Sequence, residues 1–68
     1  MEKKYLGQIE FKLNKIMVYA TKEGYSLSIY RKEYLIHECN LLDDDHVWRE
    51  LRAIGYKKSY IKVILSML

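Results

Sequence analysis

His37, Cys39 and His46, with Asp43, Asp44 and Asp45 close by, are the residues of this chain whose types suit chemistry. Imidazole, thiolate and carboxylate groups are the usual zinc donors. A His-x-Cys pair with a distant histidine is not a zinc spacing, however, and a second cysteine is missing for any common structural site. Cys39 with either histidine would pair a nucleophile with a base. That arrangement also needs a pocket and an oxyanion hole, for which so small a core has little volume. The aspartate run lacks the glycine and the distal glutamate of a calcium loop, and helix capping accounts for it more simply. Gly7, Gly24 and Gly55 are scattered, so no glycine-rich loop cradles phosphates. The reading is of a small buried thiol at a strand end and surface imidazoles, with no catalytic residue, metal or cofactor, and not of an enzyme.

A chain of 68 residues leaves room for one domain, residues 1–68. At about this length folding buries only about 60% of the surface the unfolded chain exposes, so the core is thin. Half the residues are apolar, seven are tyrosine and none is proline. That composition is globular rather than disordered. One cysteine excludes an intrachain disulfide. Residues 1–4 make a basic start with no apolar stretch of signal-peptide length behind it. The most apolar region, Tyr60 to Leu68, is broken by Lys62 and Ser66 and is too short to cross a bilayer. No membrane association and a cytoplasmic location are expected. Twelve Lys and Arg against nine Asp and Glu give a net charge of +3, a mild excess that permits a nucleic-acid partner without demanding one.

The elements that position these residues follow from periodicity. In residues 8–13, Ile9, Phe11 and Leu13 alternate with Gln8, Glu10 and Lys12, the pattern of a half-buried strand. A two-residue loop at Asn14-Lys15 would set Leu13 opposite Ile16, Phe11 opposite Val18 and Ile9 opposite Ala20. Thr21-Lys22-Glu23-Gly24 reads as the next loop, placing Tyr25 opposite Ala20, Leu27 opposite Val18 and Ile29 opposite Ile16. Both turns put the apolar side chains on one face, and a slip of one residue would bury serines and charges instead. A third turn around residues 31–33 leads to a fourth strand, 34–38, at an edge, whose inward set is either Tyr34/Ile36 or Leu35/His37.

The period then becomes helical. Asp43 to Asp45 cap a first helix, Leu42, Val47, Trp48, Leu51 and Ile54 form its stripe, and Gly55 stops it. A second helix, capped near Ser59, runs from Tyr60 to Leu68. The expected fold is α+β: a three- to four-stranded antiparallel β-meander with two C-terminal helices packed on one face. The Ile54-Gly55-Tyr56 turn resembles the loop of ubiquitin-associated domains over those few residues. The third helix of that family has no counterpart here, and no property is carried over.

Two surfaces are candidates for binding. On the second helix, Tyr60, Ile61, Val63, Ile64, Leu65, Met67 and Leu68 cover an arc of roughly 200°, wider than the stripe of about 100° that a surface helix needs. The surplus at Tyr60, Val63 and Met67, with Trp48, meets either the rest of the chain or a partner. The second sheet face is expected to carry Gln8, Glu10, Lys12, Met17, Tyr19, Ser26, Ser28 and Tyr30. Met17, Tyr19 and Tyr30 suit a protein contact, or Tyr19 and Tyr30 stack bases while Lys12, Lys15, Arg31, Lys32, Lys57 and Lys58 contact phosphates. A helix-turn-helix reading fails on chemistry, because the second helix offers chiefly Lys62 and Ser66 to base edges. The function expected first is that of a small protein-binding regulator or inhibitor that docks stoichiometrically, with self-association as a homodimer and a phage or mobile-element source by analogy of size. The alternative is a nucleic-acid-binding accessory protein.

Overall fold

The computed structural model describes residues 3–68, Phe11 by its backbone alone. Four strands, β1 (Lys3–Phe11), β2 (Asn14–Thr21), β3 (Gly24–Arg31) and β4 (Tyr34–Leu41), precede α1 (Asp44–Ile54) and α2 (Lys58–Leu65). The strands form one antiparallel sheet in the order β1-β2-β3-β4, a meander in which each strand pairs with its neighbour in sequence.

The centre of the sheet has the expected register. Ile16 lies opposite Ile29, Val18 opposite Leu27 and Ala20 opposite Tyr25, and the Thr21–Gly24 pair closes the Lys22-Glu23 loop. Ile16, Val18, Leu27 and Ile29 are at most 1% exposed. Val47 and Leu51 of α1 and Ile61 and Ile64 of α2 complete the core with Leu41, so both helices cover the same apolar face. Burying each such side chain stabilises the fold by about 1.5–3 kcal/mol.

The first hairpin differs from the expected one. Its loop is Lys12-Leu13, with Lys12 in the left-handed region at φ 53°, and Asn14 opens β2 opposite Phe11. Ile9 therefore pairs with Ile16 rather than Ala20, and Leu13 is 56% exposed on the turn. The face of Ile9 is preserved because the displacement is an even number of residues. The observed pairing also matches a larger apolar pair and sets Glu10 against Lys15, contacts worth about 0.2–1 kcal/mol each. The inward placement of the Phe11 side chain lies outside the described residues.

β4 is an edge strand and extends to Leu41, beyond the expected 34–38. Its register shifts between Ile29 and Tyr30, leaving Ile36 without a partner as a bulge. Downstream, His37, Cys39 and Leu41 turn inward opposite Ile29, Leu27 and Tyr25. Upstream, Tyr34, Leu35 and Ile36 are 69%, 49% and 53% exposed. The Tyr34/Ile36 alternative is thereby excluded, and of the Leu35/His37 alternative only His37 turns in.

α1 starts as its acidic residues require: Asp43 Oδ1 accepts from the His46 N–H at 2.9 Å, with Asp44 and Asp45 in the first turn. Gly55 ends it at φ 118°, donating its N–H to the Leu51 carbonyl at 3.1 Å. Leu42 and Ile54, expected in the apolar stripe, are instead 70% and 42% exposed, since they sit at or beyond the helix ends. α2 departs from expectation at both ends. Lys57, with extended backbone and no side-chain cap, precedes it, Ser59 lies within its first turn, and it ends at Leu65. Beyond it, the Met67 and Leu68 N–H groups donate to the Ile64 and Leu65 carbonyls.

Two glycines have distinct roles. A Cβ on Gly24 would stand 2.1 Å from the Leu41 carbonyl oxygen, so the β2–β3 turn packs against the β4–α1 crossover through bare backbone. A Cβ on Gly55 meets nothing within 4 Å, and only the left-handed backbone asks for glycine there. Gly55→Ala is expected to cost about 1–2 kcal/mol from backbone strain. Gly24→Ala, which forces backbone apart, is expected to cost more than about 3 kcal/mol; urea unfolding of the two variants checks this order.

Candidate functional site

The sheet face away from the helices is more enclosed than an open face. Ser26 and Ser28 of β3 lie on it yet are 0% and 4% exposed. Ser28 Oγ donates to Glu38 at 3.4 Å, and Lys3 Nζ reaches the same carboxylate at 3.7 Å. Tyr19 packs edge-on to Tyr5 at 5.8 Å, its hydroxyl meets Met17 Sδ at 3.7 Å, and Lys3 Nζ lies 5.4 Å from its ring centroid. Lys15 Nζ sits 5.5 Å over Tyr30. Met17, Tyr19 and Tyr30 are thus drawn into contacts within the sheet. Exposed cation–π contacts are worth about 0.5–1 kcal/mol. A stacked base contributes about 1–3 kcal/mol, enough to displace the lysines.

The surplus arc of α2 is smaller than the sequence suggested. Ile61 and Ile64 are fully buried, and Leu65, Met67 and Leu68 pack half-buried against the core, as does Trp48 of α1. Met67 lies after the helix, its Sδ 3.0 Å from where a Gly7 Cβ would stand. Val63 remains 45% exposed, and Tyr60 is half-buried.

A different concentration of features lies at the end of the molecule that holds the β1–β2 and β3–β4 turns and the α1–α2 link. Lys12, Leu13, Asn14, Arg31, Gly55, Tyr56, Lys57 and Tyr60 line a hollow of about 360 Å³. A second hollow of about 210 Å³ shares Asn14, Gly55 and Tyr56 and adds Ile29, Ile36, His37 and Ile54. Lys32 adjoins them, its N–H bonded to the Leu13 carbonyl at 3.1 Å. Three of the six cations expected on phosphates, Lys12, Arg31 and Lys57, therefore meet here, beside Tyr56 and Tyr60 rather than beside Tyr19 and Tyr30. Lys15 stands on the sheet face, and Lys58, the first residue of α2, is not among the lining residues. Leu13, Ile36 and Ile54, with Tyr34 paired to Arg31, add four exposed apolar side chains. These four escaped sequence reasoning. The signal for Ile36 was three consecutive apolar residues in a strand, a pattern that alternation alone does not explain.

Of the residues suited to chemistry, His46 is committed to α1, where its Nδ1 accepts the Leu42 N–H at 3.2 Å. His37 instead meets Glu50, with Nε2 and Oε2 3.2 Å apart. Cys39 lies beside them, its thiol pushed up to about 11 by burial and by the Glu50 carboxylate. It holds its proton at neutral pH, unlike an activated nucleophile.

Among the described residues no helix is long and apolar enough to cross a membrane. Compared with protein-family models, curated proteins and solved structures, the chain matches none.

Two tyrosines give the fold an alkaline limit. Burial raises the Tyr25 hydroxyl above its usual 10.0, and the Asp44 and Asp43 carboxylates raise it further. Burial likewise raises Tyr56, against a lowering contact from Asn14. Protons held more tightly in the folded chain stabilise it fully below pH 10, and that contribution is lost as the pH rises through the folded values. Melting temperatures are expected to fall as the pH rises above about 10, and Tyr25→Phe, which keeps the ring, to flatten that part of the fall.

Proposed function

We propose that this chain is a small non-enzymatic docking protein, a regulator or inhibitor that binds another protein stoichiometrically through the turn end of its sheet. The observation that carries the reading is the grouping of Leu13, Ile36 and Ile54, each 42–56% exposed, around two adjoining hollows with Lys12, Arg31 and Lys57 at the border and the exposed Tyr34 paired to Arg31. An apolar patch with a polar rim is the usual make-up of an interaction surface. The cationic rim selects a partner segment that carries acidic and apolar side chains together. The earlier candidates Tyr60 and Val63 border this surface or lie on the same helix, while Trp48, Met67, Met17, Tyr19 and Tyr30 serve mainly packing. A cytoplasmic location goes with this reading.

Ile36→Asp with Ile54→Asp is expected to preserve folding, since both side chains are exposed, and to abolish capture of a stoichiometric partner from cell extract. Val63→Asp is expected to leave capture intact. Loss with Val63→Asp alone moves the site back to α2. Self-association through the same patch belongs to the reading as well. A strict monomer by light scattering at high concentration removes that part.

A second reading has its own support. Lys12, Arg31 and Lys57 around Tyr56 and Tyr60 present phosphate-binding cations beside stacking rings. If single-stranded nucleic acid is the ligand, three neutralised phosphates give a log-affinity slope of about −2 against log salt. Fluorescence anisotropy with an oligonucleotide checks it, and Arg31→Glu is expected to flatten the slope.

A further inference from the structure

His37, Cys39 and Glu50 bring three donor atoms of different chemistry together on the helix-facing side of the β4 edge. His37 and Cys39 are two residues apart on β4, so both project from the face that the Ile36 bulge turns inward. Glu50 descends from α1 onto them, thirteen residues from His37. Their donor atoms all lie within 4.8 Å of one another, and each residue is half-buried. The Nε2–Oε2 separation is 3.2 Å. We propose that these three side chains bind one divalent transition-metal ion, zinc by preference, with a fourth position open to water or to a ligand.

The donor set selects the ion. Thiolate, formed as the incoming ion displaces the Cys39 proton to solvent, and imidazole favour borderline metals such as zinc, whereas calcium and magnesium want oxygen donors throughout. The spacing also fits. Bonds of about 2.0–2.3 Å in a tetrahedron hold neighbouring donor atoms about 3.3–3.8 Å apart. The histidine–carboxylate pair is already near that distance, and the thiol needs to close by at most about 1.5 Å, a side-chain adjustment. Three ligands rather than four leave the open position of a reactive or exchangeable zinc site, not a closed structural one. A hydrogen-bonded His37–Glu50 pair explains two of the three groups by itself. It does not explain why the chain's one thiol shares their space.

Cobalt(II) tests this directly, because it reports its own ligands. The full chain, stripped with a chelator and titrated with cobalt, is expected to take up one ion per chain. The spectrum should show a thiolate-to-cobalt band in the near ultraviolet and the intense visible bands of four-coordination. Cys39→Ser is expected to abolish the near-ultraviolet band. His37→Gln and Glu50→Gln are each expected to weaken binding about tenfold or more, and His46→Gln to leave it unchanged. Zinc is expected to displace the cobalt and to raise the melting temperature of the wild-type chain. A spectrum of six-coordinate cobalt without the thiolate band overturns the proposal. So does unchanged affinity in Glu50→Gln, or loss of binding in His46→Gln. Should Cys39→Ser fail to fold by circular dichroism, the His37 and Glu50 variants decide alone.

Discussion

The pairing of β2 with β3 is the constraint on which the rest of this molecule depends. Ile16 and Val18 face Ile29 and Leu27 across the two central strands, and these four side chains form the floor on which both helices rest. Displaced by one residue, the same strands would offer Met17, Ser26 and Ser28 to the helices and turn the aliphatic set to water. The register is held at its end by the Lys22-Glu23 turn, where Gly24 lies against the Leu41 carbonyl. That contact ties the central hairpin to the point where strand gives way to helix. α1 is therefore aimed by the same turn that sets the sheet.

What was legible in the residues follows from what a repeat of two can encode. Alternation specifies which face a side chain takes, and all of Ile9, Ile16, Val18, Leu27 and Ile29 keep the face it assigns. It does not specify the pairing partner, since any even displacement leaves the faces intact. The first hairpin shows this, with the turn moved from Asn14-Lys15 to Lys12-Leu13. The choice there belongs to loop backbone and cross-strand pairs, which carry only fractions of a kcal/mol each. β4 was ambiguous for another reason: Tyr34, Leu35 and Ile36 belong to no single alternation, because one of them is supernumerary. The proximity of Glu50 to His37 and Cys39 had no local signal at all, as it arises from folding a helix back over an edge strand.

The helices divide in the same way. Asp43 and Gly55 bracket α1 by side-chain capping and left-handed backbone, both readable from residue type. α2 has no capping side chain and stops at Leu65, so nothing local marked its ends. The apolar excess assigned to it was largely absorbed by the core, with Met67 settling over Gly7 in the turn that follows. Exposed apolar surface moved to the other end of the sheet, where two hairpin turns and the interhelical link meet three cations. The surface proposed for a partner thus consists of turns held by the packed scaffold.

The single extra residue in β4 divides that strand into halves with different tolerance to change. Residues 37–41 cannot lose or gain a member without rotating Glu38 and Asn40 under the helices, so their length is as constrained as the core itself. Residues 34–36 lie ahead of the offset, and deleting one of them leaves the inward set in place. Such a shortened chain would keep its interior yet lose the kink in its outermost strand. It would present a straight, greasy rim of unpaired backbone to any extended chain nearby, and sticking together rather than unfolding would be the defect it suffers.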